Sequence, residues 1–98
     1  MGNQELIKTD KVSVRVMELA EGASTNWHYH SEITDYIVCL SGAVKVETKN
    51  PDEETILHPG QRIVIMSHQP HCVVNAHISG SEYLLIQGVG KYDFNKVS

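Results

Sequence analysis

Apolar residues in this chain recur at every second position, the spacing of strands, and no stretch carries the three-to-four-residue spacing of a helix over three turns. From Val12 to Leu19 the sequence VSVRVMEL sets Val12, Val14 and Val16 on one side and Ser13, Arg15 and Met17 on the other. On that count Arg15 faces solvent. If the sheet closes into a barrel, its face becomes the interior, and a guanidinium there would recruit a carboxylate-bearing ligand. Tyr36 to Leu40 is a second apolar run, and Ala43 to Thr48 alternates cleanly, with Val44 and Val46 inward and Lys45 and Glu47 in water. Glu53 to Leu57 predicts a short strand, and Arg62 to Met66, nearly all apolar, predicts one buried on both faces. His71 to His77 and Tyr83 to Val89 complete the set.

Turn chemistry separates these runs: Glu21-Gly22-Ala23-Ser24, Gly42, Lys49-Asn50-Pro51-Asp52, His58-Pro59-Gly60 and Ser79-Gly80-Ser81. About eight short strands with no convincing helix predict an all-β sandwich or small barrel. At 98 residues the chain is expected to form a single domain, 1–98, with one modest core.

Composition narrows the class. With 41% hydrophobic and 20% charged residues, a net charge of -4 and no basic run, the chain is unsuited to nucleic acid or to an anionic membrane surface. No apolar stretch is long enough to span a bilayer, and Met1 to Asp10 lacks the apolar centre of a signal peptide. Cys39 and Cys72 form no CxxC and point to no oxidising compartment, so a cytoplasmic protein with reduced thiols is expected.

The chemistry lies in GASTNWHYHSEITDYIVCLSG, Gly22 to Gly42. On a strand His28 and His30 point the same way, while Trp27 and Tyr29 point the other. Asp35 follows after a polar interruption, on a second strand that can bring its carboxylate beside the histidines. His71 opens a later run. Three imidazoles and a carboxylate suit iron, manganese, nickel, cobalt or zinc, and no thiolate cluster is present to build a closed structural zinc site. His68 stands at the approach to His71, where it could carry protons near neutral pH; Tyr36 and His77 are weaker candidates. Asn75 is read as a backbone tether, Gln87 as a residue that looks into the barrel, and His58 as a surface residue.

These residues resemble the two motifs of the cupin superfamily. The first runs Gly, five residues, His-x-His, three or four residues, Glu, six residues, Gly. Here Gly22, His28-Tyr29-His30, Asp35 and Gly42 keep every spacing, with Asp35 in place of Glu. Gly60, His71 and Asn75 fall on the register of the second motif, with Met66 where Pro is usual and His68 where Gly is usual. The resemblance implies a small double-stranded β-helix, a jelly-roll barrel of the RmlC-like, single-domain kind, with His28, His30, Asp35 and His71 as ligands to a divalent metal. Asp35 is one methylene shorter than Glu, so either its strand moves closer, a water bridges, or it does not ligate; Glu32 fits the spacing poorly.

Two functions follow. The first is a metalloenzyme of the dioxygenase, isomerase or lyase type, acting on a small polar oxygenated metabolite. The second is a non-catalytic module that binds or senses a sugar or metabolite. The resemblance also implies a homodimer, which a chain burying only about 60 to 65% of its unfolded surface would benefit from. Tyr92 and Phe94 in the tail either cover one end of the barrel or dock on the partner.

Overall fold

The computed structural model describes residues 2–97. Ten strands follow in order: β1 (Asn3–Lys8), β2 (Ser13–Leu19), β3 (His28–Tyr29), β4 (Thr34–Ser41), β5 (Val44–Thr48), β6 (Glu53–Leu57), β7 (Arg62–Ile65), β8 (His71–Asn75), β9 (Ser81–Gly88) and β10 (Asn95–Lys96). They form two five-stranded antiparallel sheets, β1-β2-β9-β4-β7 and β10-β3-β8-β5-β6. Face to face, these make the expected all-β, double-stranded β-helix barrel.

Alternation sets what each strand buries. On β4, Asp35, Ile37 and Cys39 point inward, and on β9 their neighbours Gln87, Leu85 and Tyr83 do the same. From the opposite sheet Val44 and Val46 on β5, Leu57 on β6 and Val73 on β8 meet Ile37, Cys39, Ile65, Tyr83 and Leu85 in one core. Fully burying such an aliphatic side chain contributes about 1.5–3 kcal/mol. Between β4 and β5 the chain reverses at Gly42, whose φ of 71° is left-handed; a Cβ there would also lie 2.9 Å from the Cβ of Ser81.

Two expectations need correction, and one strand was not foreseen. The apolar parity of β2 faces outward: Arg15, Met17 and Leu19 are the inner residues, because they stand opposite Leu85, Tyr83 and Ser81 of the inner row of β9. Arg15 is therefore half-buried in the barrel, not solvated. The apolar run on β7 is buried on one face only, because the opposite sheet covers Ile63 and Ile65 while Val64, and Met66 just past the strand, stay exposed. Finally, β1 was not legible: all six of its residues are exposed, so no alternation marks it.

Candidate metal centre

One end of the barrel interior is polar. β3 and β8 pair through His28 and His71, which puts these two side chains next to each other on one inner face. His30 follows two residues after His28, and Asp35 enters from β4 across the barrel. All four are buried, and one ligand atom from each lies within 4.8 Å of every other. Donors sharing an ion at about 2.1 Å each stand at most about 4.2 Å apart. The observed spread is close to that bound, and the short Asp35 stands within it because β4 brings its Oδ2 to 3.1 and 3.3 Å from Nε2 of His71 and His30.

The histidines are oriented by main chain. Nδ1 of His28 donates to the carbonyl of Asn26 at 2.6 Å, that of His30 to the carbonyl of Asp93 at 2.6 Å, and that of His71 to the carbonyl of Gln69 at 2.8 Å. A carbonyl only accepts, so each Nδ1 carries the proton and, in the neutral ring, each Nε2 presents a lone pair. Those of His71 and His30 stand 3.1 and 3.3 Å from Oδ2 of Asp35. Lone pairs set against a carboxylate repel unless a positive charge joins them, as an imidazolium proton or as a metal ion. The donor set thus fits a divalent cation, with the second hydrogen bond that metal-bound imidazoles need already made.

Electrostatics agree. Burial lowers the pKa of His28 to about 4, so that ring is neutral and ready to ligate. For His30 burial pulls the same way, but the hydrogen bond and charge of Asp35 outweigh it and raise the pKa. Asp35 is opposed by burial, yet hydrogen bonds from His30 and His71 hold it well below the usual carboxylate range.

Around the cluster lies a cavity of about 170 Å³, with apolar walls from Met17, Ile37, Val73 and Leu85 and polar groups from Arg15, Tyr83 and Gln87. Gln87 bridges inward: its Nε2 donates to Oδ1 of Asp35 at 3.1 Å, and its Oε1 accepts from Arg15 at 2.6 Å. The tail closes the mouth. Phe94 stacks on His28 with ring centroids 4.3 Å apart, and Tyr92 lies 5.4 Å from His30. The two aromatics that sequence left between a cover and a partner contact therefore cover the site.

The structure does not bring His68 to the four. Its side chain is exposed, stands near Tyr29 on the rim, and is absent from the cavity wall. A left-handed φ of 67° at this position, where glycine is usual in the second motif, accompanies the turn that lets its N–H donate to the carbonyl of His30 at 2.7 Å. Glu32 is exposed and accepts from the N–H of Lys91, so it is no ligand. Asn75 tethers the carbonyls of Ala20 and Ser79, as expected, and Tyr36 and His77 are exposed outside the cavity. Sequence reading missed Asp93, which holds His30 by its carbonyl and the N–H of Ser31 by its carboxylate.

The family model described as "Cupin domain" matches residues 15–87. No curated protein matches the chain. Among solved structures, a Klebsiella pneumoniae protein with a double-stranded β-helix domain superposes with a TM-score of 0.85 at 19% identity, covering 98% of this chain and 83% of that one. KdgF from a Halomonas species gives 0.79 at 20% identity, covering 91% and 80%. An oxalate oxidase gives 0.80 at 17% identity, covering 89% of this chain and 46% of that one. At these identities the likeness is one of fold.

Proposed function

Because the chain belongs to the cupin domain family, we propose that it is a metal-binding cupin whose His28, His30, Asp35 and His71 hold one divalent ion and act on a small polar, oxygenated metabolite. The observation that carries this reading is the convergence of three Nδ1-tethered imidazoles and a carboxylate on one buried point. Carboxylate and imidazole suit iron, manganese, nickel, cobalt or zinc. When bound, such an ion supplies Lewis-acid polarisation of a carbonyl or hydroxyl, or redox chemistry if it is iron or manganese.

The chain's own residues supply orientation and exclusion of water. The carbonyls of Asn26, Gln69 and Asp93 fix the imidazole rings, Gln87 holds the free oxygen of Asp35, and Phe94 and Tyr92 roof the cavity. His68 would serve protons only from the rim, and its main-chain N–H to His30 is the contact that matters here. His68→Gly, which suits a φ of 67°, is therefore expected to retain metal. The second reading, a non-catalytic module for a sugar or metabolite, uses the same pocket without turnover.

A dimer is part of the proposal. On the outer face of β2, β9, β4 and β7, Val14, Ile86, Tyr36 and Val64 stand side by side in one cross-strand row, and Val16, Leu84 and Val38 form the next. This apolar face suits a second copy of the chain, and Tyr36→Lys with Val38→Lys should give a monomer in sedimentation. Both free cysteines are buried and unpaired, in keeping with a reducing compartment.

The primary test is elemental analysis of protein purified without a metal-affinity tag. Near-stoichiometric divalent metal that disappears in His71→Ala is expected. Wild-type protein that holds none and takes up none on addition would overturn the metal reading.

A further inference from the structure

We propose that Arg15 is the anion-binding residue of the metal cavity, so that the ligand is a small carboxylate held by the guanidinium at one end and by the metal at the other. The inference rests on the metal-binding reading above and names the chemical class that its cavity selects.

Arg15 lies on the inner face of β2 and is half-buried in the wall shared by two cavities. One is the 170 Å³ cavity around the histidines, and the other is a cavity of about 190 Å³ under the β1–β2 turn. Gln87 and Tyr92 stand in the same partition. Among the described residues no carboxylate forms an ion pair with Arg15. One terminal nitrogen donates to Oε1 of Gln87 at 2.6 Å and the Tyr92 hydroxyl lies beside the guanidinium, while the buried Nε–H makes no hydrogen bond.

That combination is unfavourable in a protein left to itself. Partly burying a cation without an ion-pair partner and leaving a buried donor unmade both cost stability. A carboxylate resolves both, because its two oxygens match the planar guanidinium fork and take the Nε–H together with a terminal N–H.

The surroundings choose the charge and size. The outer cavity sets Lys8, Lys11 and Arg15 against Glu5 and Asp10, an excess of one positive charge, and Glu5, though opposite Arg15 across the β1–β2 pair, forms no ion pair with it. On the inner side the one carboxylate in the lining is Asp35, already engaged by His30, His71 and Gln87. Gln87 alone separates Arg15 from Asp35, so an acid group on Arg15 is one amide side chain away from the metal ligands. A volume of about 170 Å³ has room for an acid of a few carbons. A hydroxy or second carboxylate oxygen on such an acid would reach the ion.

The test uses zinc-loaded full-length protein, titrated with lactate and malonate against their neutral amides, lactamide and malonamide. The acids are expected to bind at least tenfold more tightly than the amides, and lactate to shift the Nε–H resonance of Arg15 in nitrogen-edited NMR spectra. Arg15→Gln should abolish the acid preference at unchanged zinc content, and Arg15→Lys should restore part of it. Equal binding of acid and amide, an Arg15 resonance that does not move, or an Arg15→Gln protein that binds acids as well as wild type would each overturn the proposal. Should Arg15→Gln fail to fold, the wild-type resonance decides. Loss of zinc binding in wild type would instead refute the metal centre on which the inference stands, and elemental analysis separates the two outcomes.

Discussion

The barrel interior has two ends made by the same strands, and they obey different physics. On β4 Cys39 belongs to one end and Asp35 to the other, while Tyr83 on β9 and Val73 on β8 stand between the ends, part of the core and of the cavity wall alike. The apolar end, with Leu57, Val44, Val46 and Ile65, is satisfied by burial alone. At the polar end every ring must also be aimed, tethered and given a counter-charge. Backbone geometry is common to both, so side chains alone decide which end is core and which carries the cluster that could hold a metal.

If the ends are separable in this way, mutations should sort by end. Leu57→Ala, at a core position only 3% exposed, is expected to remove about 3 kcal/mol of stability, read from urea unfolding of metal-free protein, while metal content per folded molecule stays the same. A loss under about 1 kcal/mol would mean that the apolar end is not the core. His71→Ala should do the reverse: metal affinity falls by at least about 100-fold, with a smaller change in metal-free stability than Leu57→Ala. Asp35→Asn tests the shortened ligand, and a drop of about 10- to 100-fold in metal affinity is expected. Unchanged affinity would remove Asp35 from the ligand set.

Acid sharpens the comparison further. His28 titrates near 4 in the fold and near 6.5 when unfolded, so between these values the unfolded chain holds the extra proton. Metal-free stability from this group is therefore complete above pH 6.5 and declines as pH falls towards 4. His30 runs the other way, its raised pKa giving stability that fades as pH climbs above 6.5. In His28→Gln the acid-side loss between pH 6.5 and 4 should shrink, as measured by thermal unfolding across pH, while in Leu57→Ala it should not. The smallest effect concerns the thiols. Burial pushes Cys72 up to about 12 and raises Cys39 as well, so neither should react appreciably with iodoacetamide at pH 8 until the protein is unfolded. Fast labelling of native protein would show that these positions open.

What the sequence made legible was whatever depends on alternation plus a chemical label. His28 and His30 carried their own label, and Asp35 and His71 followed from motif spacing. Alternation without a label misled: Val14 and Val16 continue an apolar row that looks like core, yet on β2 they lie on the outside of the sheet. The same ambiguity made Arg62 to Met66 look doubly buried. A strand reveals two faces, and only the partner layer says which is covered. β1 and β10 were not legible because the first is exposed throughout and the second is two residues long.

The three tethers of the imidazole rings end on peptide carbonyls of residues 26, 69 and 93, so no particular side chain is required to orient the ligands. Neutral drift at those positions leaves ring orientation intact so long as the loops keep their course, whereas lengthening or shortening a loop would rotate a ligand without touching it. Indels near the mouth, more than point changes, are thus the route by which descendants of this chain would lose or retune the centre.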